Sequence, residues 1–228
     1  AVRRPRTSHR GAYGRVTKDR QDRMSEPRIT IVDYEAGNVR SVQKAFQKVG
    51  GQASITSDPD EVIRADALVV PGQGACDSSM SHMREKGLVE PIKEFIASGK
   101  PFFGVCLGLQ LLMKDSEEGD EPCLGVLQGR TRRLPPGQKI PHMGWNQVDF
   151  HIRHPVFDTI PDGSHFYFVH SYYADPDDKS VVACTTDYGV DFCSGAVWEN
   201  VVAVQFHPEK SGALGLKIYK NFIEDIKS

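Results

Sequence analysis

Apolar and polar positions follow two alternating patterns along the chain from residue 28 onward. Runs such as residues 29–34 and 67–71 have the length and the β-branched content of buried strands. Residues 37–49 instead place apolar side chains at three- and four-residue steps, which predicts a helix with one buried face. Strands that alternate with helices are typical of a parallel sheet covered by helices.

The same two patterns predict the next elements of the first half. Strands are expected at residues 53–56 and 101–105, and helices at residues 77–98 and 107–114. The last of these helices would begin directly after Cys106. A strand, a cysteine and a helix would therefore follow one another without a connecting loop.

The second half of the chain begins with an acidic segment, residues 115–121, which we predict to be an exposed loop. Apolar residues step by four from Leu214 to Ile226 and predict a closing amphipathic helix. Between them, strand-like runs with turn signals occur at residues 126–134, 143–150, 165–173, 181–186, 196–198 and 201–206. We therefore predict one α/β domain over residues 28–228, with three layers, an open mostly parallel sheet and an added antiparallel section.

Composition and charge narrow the class of protein. The 228 residues include 39% hydrophobic positions and carry a net charge of -2, as in an ordinary globular protein. No apolar run approaches the roughly 18 residues of a membrane span, so no membrane partner is expected. From Met24 onward, 20 basic residues stand against 28 acidic ones, a charge of -8 that argues against a nucleic-acid partner.

The first residues differ from this acidic body. Residues 1–23 hold eight basic residues and only two acidic ones. They lack the apolar core of a secretory signal and the amphipathic face of an organellar transit peptide. We predict that residues 1–27 are a disordered basic leader or a start-site artefact upstream of Met24, and a polyanion-binding arm stays open as an alternative.

Cysteine and histidine spacing gives no sign of a metal site. The five cysteines are odd in number and form no Cys-x-x-Cys pair, so neither a disulfide framework nor a zinc ribbon is predicted. No His-x-x-x-His pair lies on a predicted helix. We expect no metal and no cofactor, and the unpaired cysteines favour a reducing, cytoplasmic location.

The strongest chemical signal is Gly104-Val105-Cys106-Leu107-Gly108, which has the form of a nucleophile elbow. Small flanking residues permit the strained turn that exposes a reactive side chain at the end of a strand. The helix that starts at Leu107 would stabilise a thiolate, and the Leu107 N–H could donate to an oxyanion. This motif alone leaves open a buried structural cysteine.

A second signal lies where the predicted strand 201–206 ends, at His207-Pro208-Glu209. Sites of open α/β sheets form at the carboxyl ends of the strands, so His207 could meet Cys106 across 101 positions of sequence. His207 would then take the thiol proton while Glu209 orients the imidazole. His-Pro-Glu alone would fit a surface loop, and only its combination with Cys106 favours catalysis.

Residues 104–110 together with residues 205–211 resemble the paired signature of class I (triad) glutamine amidotransferases, which have a flavodoxin-like fold. The resemblance covers residues 28–226, and residues 141–146 and 168–173 separate this chain from relatives that serve GMP, anthranilate or carbamoyl phosphate synthesis. Motifs at residues 33–34, 37–41, 71–74, 116–119, 141–146 and 167–173 are similar to the glutaminase subunits of imidazole glycerol phosphate synthase, of histidine biosynthesis.

The resemblance implies a catalytic role for particular residues. Cys106 would attack the side-chain amide of L-glutamine, His207 would protonate the leaving ammonia, and Glu209 would complete the triad. Water would then release glutamate from a thioester. The oxyanion hole would use the backbone N–H groups of Leu107 and Gln73.

The resemblance also implies binding residues and a protein partner. Five residues would bind the α-amino and α-carboxylate groups of glutamine: Gly74, Gln110, Glu118, Ser171 and Tyr172. The alternative for Glu118 is a solvated charge in the acidic loop. The partner would be a cyclase subunit with a barrel fold, which receives ammonia in a heterodimer and makes imidazole glycerol phosphate and AICAR.

His142, Trp145 and Asn146 would face that partner. The alternative is that Trp145 is a strand residue packed on the core. Glu35 stands where the family usually has glycine, Gln73 where it usually has valine, and Cys76 where an aromatic residue is common. The Gln73 difference could alter the resting conformation of the oxyanion loop.

Other functions also fit part of this pattern. Another class I amidotransferase, a stand-alone γ-glutamyl hydrolase or a peptidase-like cysteine enzyme could use the same scaffold, but would not require residues 141–146. A catalytically silent binding subunit has no chemical need for Cys106, His207 and Glu209 together.

Overall fold

The computed structural model describes residues 27–228. All of the predicted basic leader except its last residue therefore lies outside the described residues, and the leader stays a prediction. Twelve strands are found in this part of the chain: β1 Ile29–Val32, β2 Ala53–Thr56, β3 Ala67–Gly72, β4 Phe102–Cys106, β5 Asp115–Ser116, β6 Gly129–Arg133, β7 His142–Phe150, β8 Ser164–His170, β9 Tyr172–Pro176, β10 Val182–Asp187, β11 Asp191–Trp198 and β12 Val201–Val204. Six α-helices accompany them: α1 Val39–Lys48, α2 Pro59–Arg64, α3 Cys76–Glu85, α4 Val89–Ala97, α5 Leu107–Gln110 and α6 Gly212–Ile226.

One nine-stranded sheet forms the centre of the fold, in the order β2-β1-β3-β4-β12-β11-β10-β7-β8. The first five strands are parallel, and the remaining four continue the same sheet in antiparallel pairs. Strands β5, β6 and β9 form a separate small sheet. The predicted α/β class with an added antiparallel section is confirmed, and the antiparallel strands extend the main sheet itself.

Helices cover both faces of the parallel half. Helix α1 follows β1 outward to β2, whereas α2 returns from β2 to β3, so right-handed crossovers put them on opposite faces. Helix α6 packs with α1, and α4 packs with α2. Strands β1, β3, β4 and β12 are buried along their whole length, as their apolar sequences predict.

The predicted helix at residues 77–98 is wrong, because the structure has two helices there. Gly87 between them has φ +65°, a left-handed conformation that glycine adopts without strain. The N–H of Leu88 donates to the carbonyl of Met83 at 2.8 Å, which closes α3 in the manner of a Schellman cap. The break turns the chain so that α4 can pack on α2.

The predicted helix at residues 107–114 is also wrong beyond Gln110. After α5 the chain turns, and the N–H of Lys114 donates to the carbonyl of Gly129 at 3.1 Å beside the small sheet. Leu111, Leu112 and Met113 are fully buried, so their apolar character reflects burial and not helical periodicity. The acidic segment 115–121 likewise begins as strand β5 and not as a loop.

Two further differences concern one strand and one helix. The run predicted at residues 165–173 is divided at Ser171 into β8 and β9, which belong to different sheets. Helix α2 was not predicted, although Asp58 caps its N-terminus and Pro59 occupies its first position, both ordinary start signals. Strand β2 and helix α6 lie where the pattern predicts them.

Within residues 27–228 no helix is both long and apolar enough to cross a bilayer.

Candidate active site

Cys106 occupies a strained turn at the end of β4, in the middle of the main sheet. Its φ of +54° is unusual for a residue with a side chain, and α5 begins at the next residue. A Cβ added to Gly108 would lie 1.9 Å from the carbonyl oxygen of Val70. A Cβ on Gly104 would lie 2.9 Å from that of Ala203. Both glycines are therefore required for the close packing of the elbow against its neighbouring strands.

His207 and Glu209 lie where β12 ends, beside β4 in the sheet. His207 Nδ1–H donates to Glu209 Oε1 at 2.8 Å, and both side chains are buried. His207 Nε2 has no hydrogen-bond partner among the described residues. It is therefore the nitrogen left to exchange a proton with Cys106.

The electrostatics of this pair fit a proton carrier. Burial alone would lower the pKa of His207, but its interactions with Cys106 and Glu209 outweigh burial and raise the pKa to about 10. Burial would raise the pKa of Glu209, yet the bonds from His207 and Asn38 hold it below its usual value. The favoured state is an imidazolium next to an ionised carboxylate.

Glu209 also has two partners for which the sequence indicated no role. Asn38 Nδ2 donates to Glu209 Oε1, and Tyr219 Oη donates to Glu209 Oε2 at 3.1 Å. Asn38 belongs to the 37–41 motif, whereas Tyr219 belongs to the buried face of α6. A buried tyrosine hydroxyl needs a hydrogen-bond partner, which is the one signal that could have singled out Tyr219.

A cavity of about 360 Å³ opens beside Cys106. Its volume suits a small molecule such as an amino acid. The structure brings all of the predicted oxyanion and substrate residues to its wall, namely Gln73, Gly74, Leu107, Gln110, Glu118, Ser171 and Tyr172. Pro141, Val169, His170 and Lys210 complete the lining, and no role was predicted for them at this cavity.

The loop that carries Gln73 follows β3, and Gly72 is paired with Cys106 in the sheet. Tyr34 Oη donates to the carbonyl oxygen of Pro71 at 2.7 Å, just before this loop. Gly37 faces the side-chain oxygen of Gln73, which a Cβ on Gly37 would approach to 3.6 Å. The Gln73 side chain thus lies against the first loop of the domain.

Glu35 in that first loop has φ +77°, which explains why glycine suits the position. Its carboxylate forms an ion pair with Lys86 at 3.3 Å and lies 3.7 Å from His82 Nε2. These contacts tie the first loop to the end of α3.

Gln110 and Gln205 form a chain of amides that reaches the nucleophile. Gln110 Nε2 donates to the carbonyl oxygen of Tyr172 at 2.7 Å and to Gln205 Oε1 at 3.1 Å. Gln205 Nε2 in turn points to Cys106 Sγ at 3.5 Å. Gln110 is almost fully buried, and its amide nitrogen bonds to groups of the protein itself. Gln205 is a contact of Cys106 that the sequence reasoning missed.

Glu118 is part of the fold and not a freely solvated charge. Its Oε2 accepts the N–H of Cys76 at 2.7 Å, at the start of α3. Burial raises the pKa of this half-buried carboxyl. A carboxylate fixed in this way at the cavity wall is suited to an ammonium group.

The predicted partner face separates into an exposed and a buried part. Trp145 is 56% exposed and Met143 60% exposed on β7, so the alternative of Trp145 as a core residue is wrong. Asn146 is half-buried. His142 points to the opposite face of β7, where it is buried and stacked on Tyr188 with ring centroids 3.9 Å apart.

A hydrogen-bonded chain runs from Asn146 on β7 to the cavity. Asn146 Nδ2 lies 3.3 Å from His142 Nε2, and His142 Nδ1 lies 2.9 Å from His170 Nε2. His170 Nδ1 reaches the carbonyl oxygen of Tyr172 at 2.8 Å. Because that carbonyl only accepts, His170 carries its proton on Nδ1 and His142 does the same.

Within the described residues, no group of three or more histidine, cysteine, aspartate or glutamate side chains is arranged to hold a metal ion. The five cysteines are unpaired and buried. Cys76, one of the differences from the family pattern, is fully buried at the start of α3.

The fold and the elbow agree with comparisons to known proteins. The family profile described as glutamine amidotransferase class-I matches residues 30–226. A solved structure titled "Crystal structure of glutamine amidotransferase" has a TM-score of 0.70 at 21% identity and covers 88% of this chain and 99% of its own. A PurLQS structure from Thermotoga maritima has a TM-score of 0.71 at 19% identity, with 88% and 99% covered. At these identities the structures show the fold alone.

Closer relatives are proteins named imidazole glycerol phosphate synthase subunit HisH. The one from Syntrophotalea carbinolica is 52% identical over 203 residues and covers 85% of this chain and 98% of the relative. Those from Geobacter sulfurreducens and Dehalococcoides mccartyi are 50% and 49% identical, covering 86% of this chain and 98% and 96% of the relatives. The chain therefore belongs to the class I glutamine amidotransferases and, within that class, to the family of HisH subunits.

Proposed function

We propose that this chain is the glutaminase subunit of an imidazole glycerol phosphate synthase, acting in the cytoplasm. It hydrolyses L-glutamine to glutamate and ammonia. The observation that carries the proposal is Cys106 on a strained elbow, above the His207–Glu209 pair and beside a cavity of about 360 Å³. No cofactor takes part, because the thiol, the imidazole and backbone donors supply all the chemistry.

The first half of the reaction forms a thioester. Cys106 Sγ attacks the side-chain carbonyl carbon of glutamine while His207 Nε2 holds the thiol proton. The N–H groups of Leu107 and Gln73 stabilise the negative oxygen, at about 3 kcal/mol for each donor. His207 then gives the proton to the departing nitrogen, and ammonia leaves.

The second half releases glutamate. His207 Nε2 accepts a proton from water, whose oxygen attacks the thioester carbon, and the thiolate of Cys106 leaves. Glu209 keeps the imidazole in one orientation through both halves. The buried Glu209 stays ionised because His207 and Asn38 hold its pKa low.

Substrate orientation follows from the cavity wall. Glu118 meets the α-ammonium group of glutamine, and the backbone of Gly74, Ser171 and Tyr172 meets the α-carboxylate. Gln110 supports this wall from behind through its bond to the Tyr172 carbonyl. These contacts select an amino acid over a simple amide.

The partner is a cyclase subunit of barrel fold, which takes the ammonia and makes imidazole glycerol phosphate and AICAR. The exposed Trp145 and Met143 support this part of the proposal, since large apolar side chains on the solvent-exposed face of a strand are typical of a docking face. A stand-alone γ-glutamyl hydrolase would have no use for them. Lys210 at the cavity mouth lies 5.9 Å from the ring centre of Tyr167, whose ring in turn contacts Trp145, so the face adjoins the site.

The experiment is glutamate release from glutamine by the full chain, alone and with a cyclase subunit and its nucleotide ligand. Activity that rises strongly with the liganded partner, and is absent in Cys106→Ala, is the expected result. Equal activity with and without the partner would favour a stand-alone hydrolase. No activity in either state, with complex formation verified, would favour a silent subunit.

A further inference from the structure

Tyr219 in helix α6 places one polar atom at the back of the catalytic triad. The side chain is fully buried, and its ring centre lies 4.5 Å from that of Phe46 and 5.9 Å from that of Phe103. A hydroxyl in such apolar surroundings is costly unless it is hydrogen-bonded. The bond recorded for it goes to Glu209 Oε2, at 3.1 Å.

The two oxygens of Glu209 are held differently. Oε1 accepts from both His207 and Asn38, whereas Oε2 accepts from the side chain of Tyr219. Without the Tyr219 hydroxyl, Oε2 would be a buried charged acceptor that has lost its side-chain donor. Such an acceptor is costly, and the carboxylate would then be held by side-chain donors at Oε1 alone.

We propose that Tyr219 is a positioning residue of the triad, which keeps the Glu209 carboxylate ionised and turned so that His207 presents Nε2 to Cys106. The activity readout of this inference rests on the proposed glutaminase function. The titratable groups that act on the Glu209–His207 pair are Cys106, His170 and Tyr219 itself. Asn38 faces it from the start of α1 as a neutral donor.

Tyr219 is suited to this task at every working pH. Burial and the neighbouring Glu209 raise the pKa of the phenol well above its usual value, so it remains a neutral donor. Its hydroxyl adds a donor to those of His207 and Asn38, and a donor favours the ionised carboxylate, so its loss would raise the pKa of Glu209. Because catalysis needs the carboxylate ionised, the acid limb of the pH–rate profile would move to higher pH.

The test compares Tyr219→Phe with Asn221→Ala. Asn221 lies on the same helix, and its buried amide bonds to the carbonyl oxygens of Val156 and Asp158, away from Glu209. In Tyr219→Phe we expect kcat for glutamine to fall about 10- to 100-fold, KM to be unchanged and the acid limb to rise by about one pH unit. Asn221→Ala should lower thermal stability and leave the acid limb in place.

A second variant keeps the fold intact if Tyr219→Phe fails to fold. Replacing Tyr219 with 3-fluorotyrosine preserves its shape and makes the hydroxyl a stronger donor. The acid limb should then move to lower pH. An acid limb that stays in place in this variant would overturn the inference, as would an Asn221→Ala variant that shifts it as far as Tyr219→Phe does.

A second readout does not depend on glutamine hydrolysis. The rate at which iodoacetamide alkylates Cys106 is measured across pH by mass spectrometry of the Cys106 peptide, and this rate depends on the state of the triad. The pH profile of alkylation in Tyr219→Phe should be displaced from that of the parent protein. Adding Tyr219→Phe to a Glu209→Gln variant should cause no displacement, because that variant has no carboxylate for Tyr219 to hold. A displaced alkylation profile without any glutaminase activity would reject the proposed function alone. An active enzyme whose profiles are the same with and without the Tyr219 hydroxyl would reject the inference alone.

Discussion

Two groups of buried histidines in this protein have opposite charge states. His207 has its pKa raised to about 10, despite burial, by Cys106 and Glu209. His142 and His170, close by on β7 and β8, have theirs lowered to about 4 and about 3 by burial. The difference is the partner, since His207 faces a carboxylate and a thiol, whereas the other two bond to each other and to neutral groups. Among buried histidines, the partners therefore decide whether the imidazole is charged, as in His207, or neutral, as in His142 and His170.

The neutral pair has a structural use. Its tautomers are fixed by the Tyr172 carbonyl at one end, and Asn146 meets it at the other. These bonds thus hold the cavity wall at His170 and Tyr172 from the side of β7. The charged pair, by contrast, leaves Nε2 of His207 without a hydrogen-bond partner among the described residues, as the proposed proton exchange with Cys106 requires.

The largest effect should follow from removing the carboxylate of Glu209, the charged partner that distinguishes His207 from the other two histidines. In Glu209→Gln we expect kcat to fall about 10³- to 10⁴-fold, because the imidazolium loses its carboxylate and its orientation. The matched control is His170→Gln, which removes a buried histidine of the neutral pair and should retain far more activity. Steady-state glutamate release measures both, and a Glu209→Gln enzyme as active as the control would contradict the role given to the pair.

The second effect concerns stability across pH. His170 and His142 have lowered pKa values when folded, so below about pH 6.5 the unfolded chain binds more protons and stability falls as pH falls. Each histidine contributes a slope of about 1.4 kcal/mol per pH unit until the folded pKa is reached. His207 acts in the opposite direction, because its raised pKa gives stability that is present below about 6.5 and is lost as pH rises toward about 10.

Urea unfolding between pH 4 and pH 10 tests these slopes. His170→Gln should flatten the acid side of the stability curve and leave the alkaline side unchanged, while His207→Gln should do the reverse. If both variants changed the same side, the assignment of opposite charge states would be wrong.

The smallest effect comes from adding a carboxylate to the neutral pair. Asn146→Asp places a negative charge near His142 Nε2, where the amide nitrogen is now 3.3 Å away. The pKa of His142 should rise from about 4 by about one to two units. Titration of its ring protons by NMR measures the change, and Asn146→Ala, which adds no charge, should leave the pKa low.

Much of the fold was predictable because local pattern and burial agree there. Strands β1, β3, β4 and β12 are buried along their whole length, and the pattern places these four and the more polar β2. The predictions failed at α3–α4 and after α5, where buried apolar residues continued past the end of a helix. Periodicity cannot show such an end, since it depends on Gly87 in one case and on pairing with the small sheet in the other.

The candidate site was predictable where its residues follow strand ends. Cys106 follows from the elbow glycines, and His207 and Glu209 follow from their place after β12. Asn38, Gln205 and Tyr219 were not singled out, because their polar atoms matter only through contacts with distant residues. The contact of Tyr219 with Glu209, for example, joins the closing helix to the turn after β12.

The sequence by itself determined the α/β class, the strained elbow and the identity of the three residues that could form a triad. These follow from local rules of backbone geometry and hydrophobic spacing. Only the tertiary structure decided which buried histidine is charged, which amide contacts Cys106, and that His142 is buried while Trp145 on the same strand is exposed. Charge state and orientation depend on neighbours within a few ångströms, and folding alone brings those neighbours together.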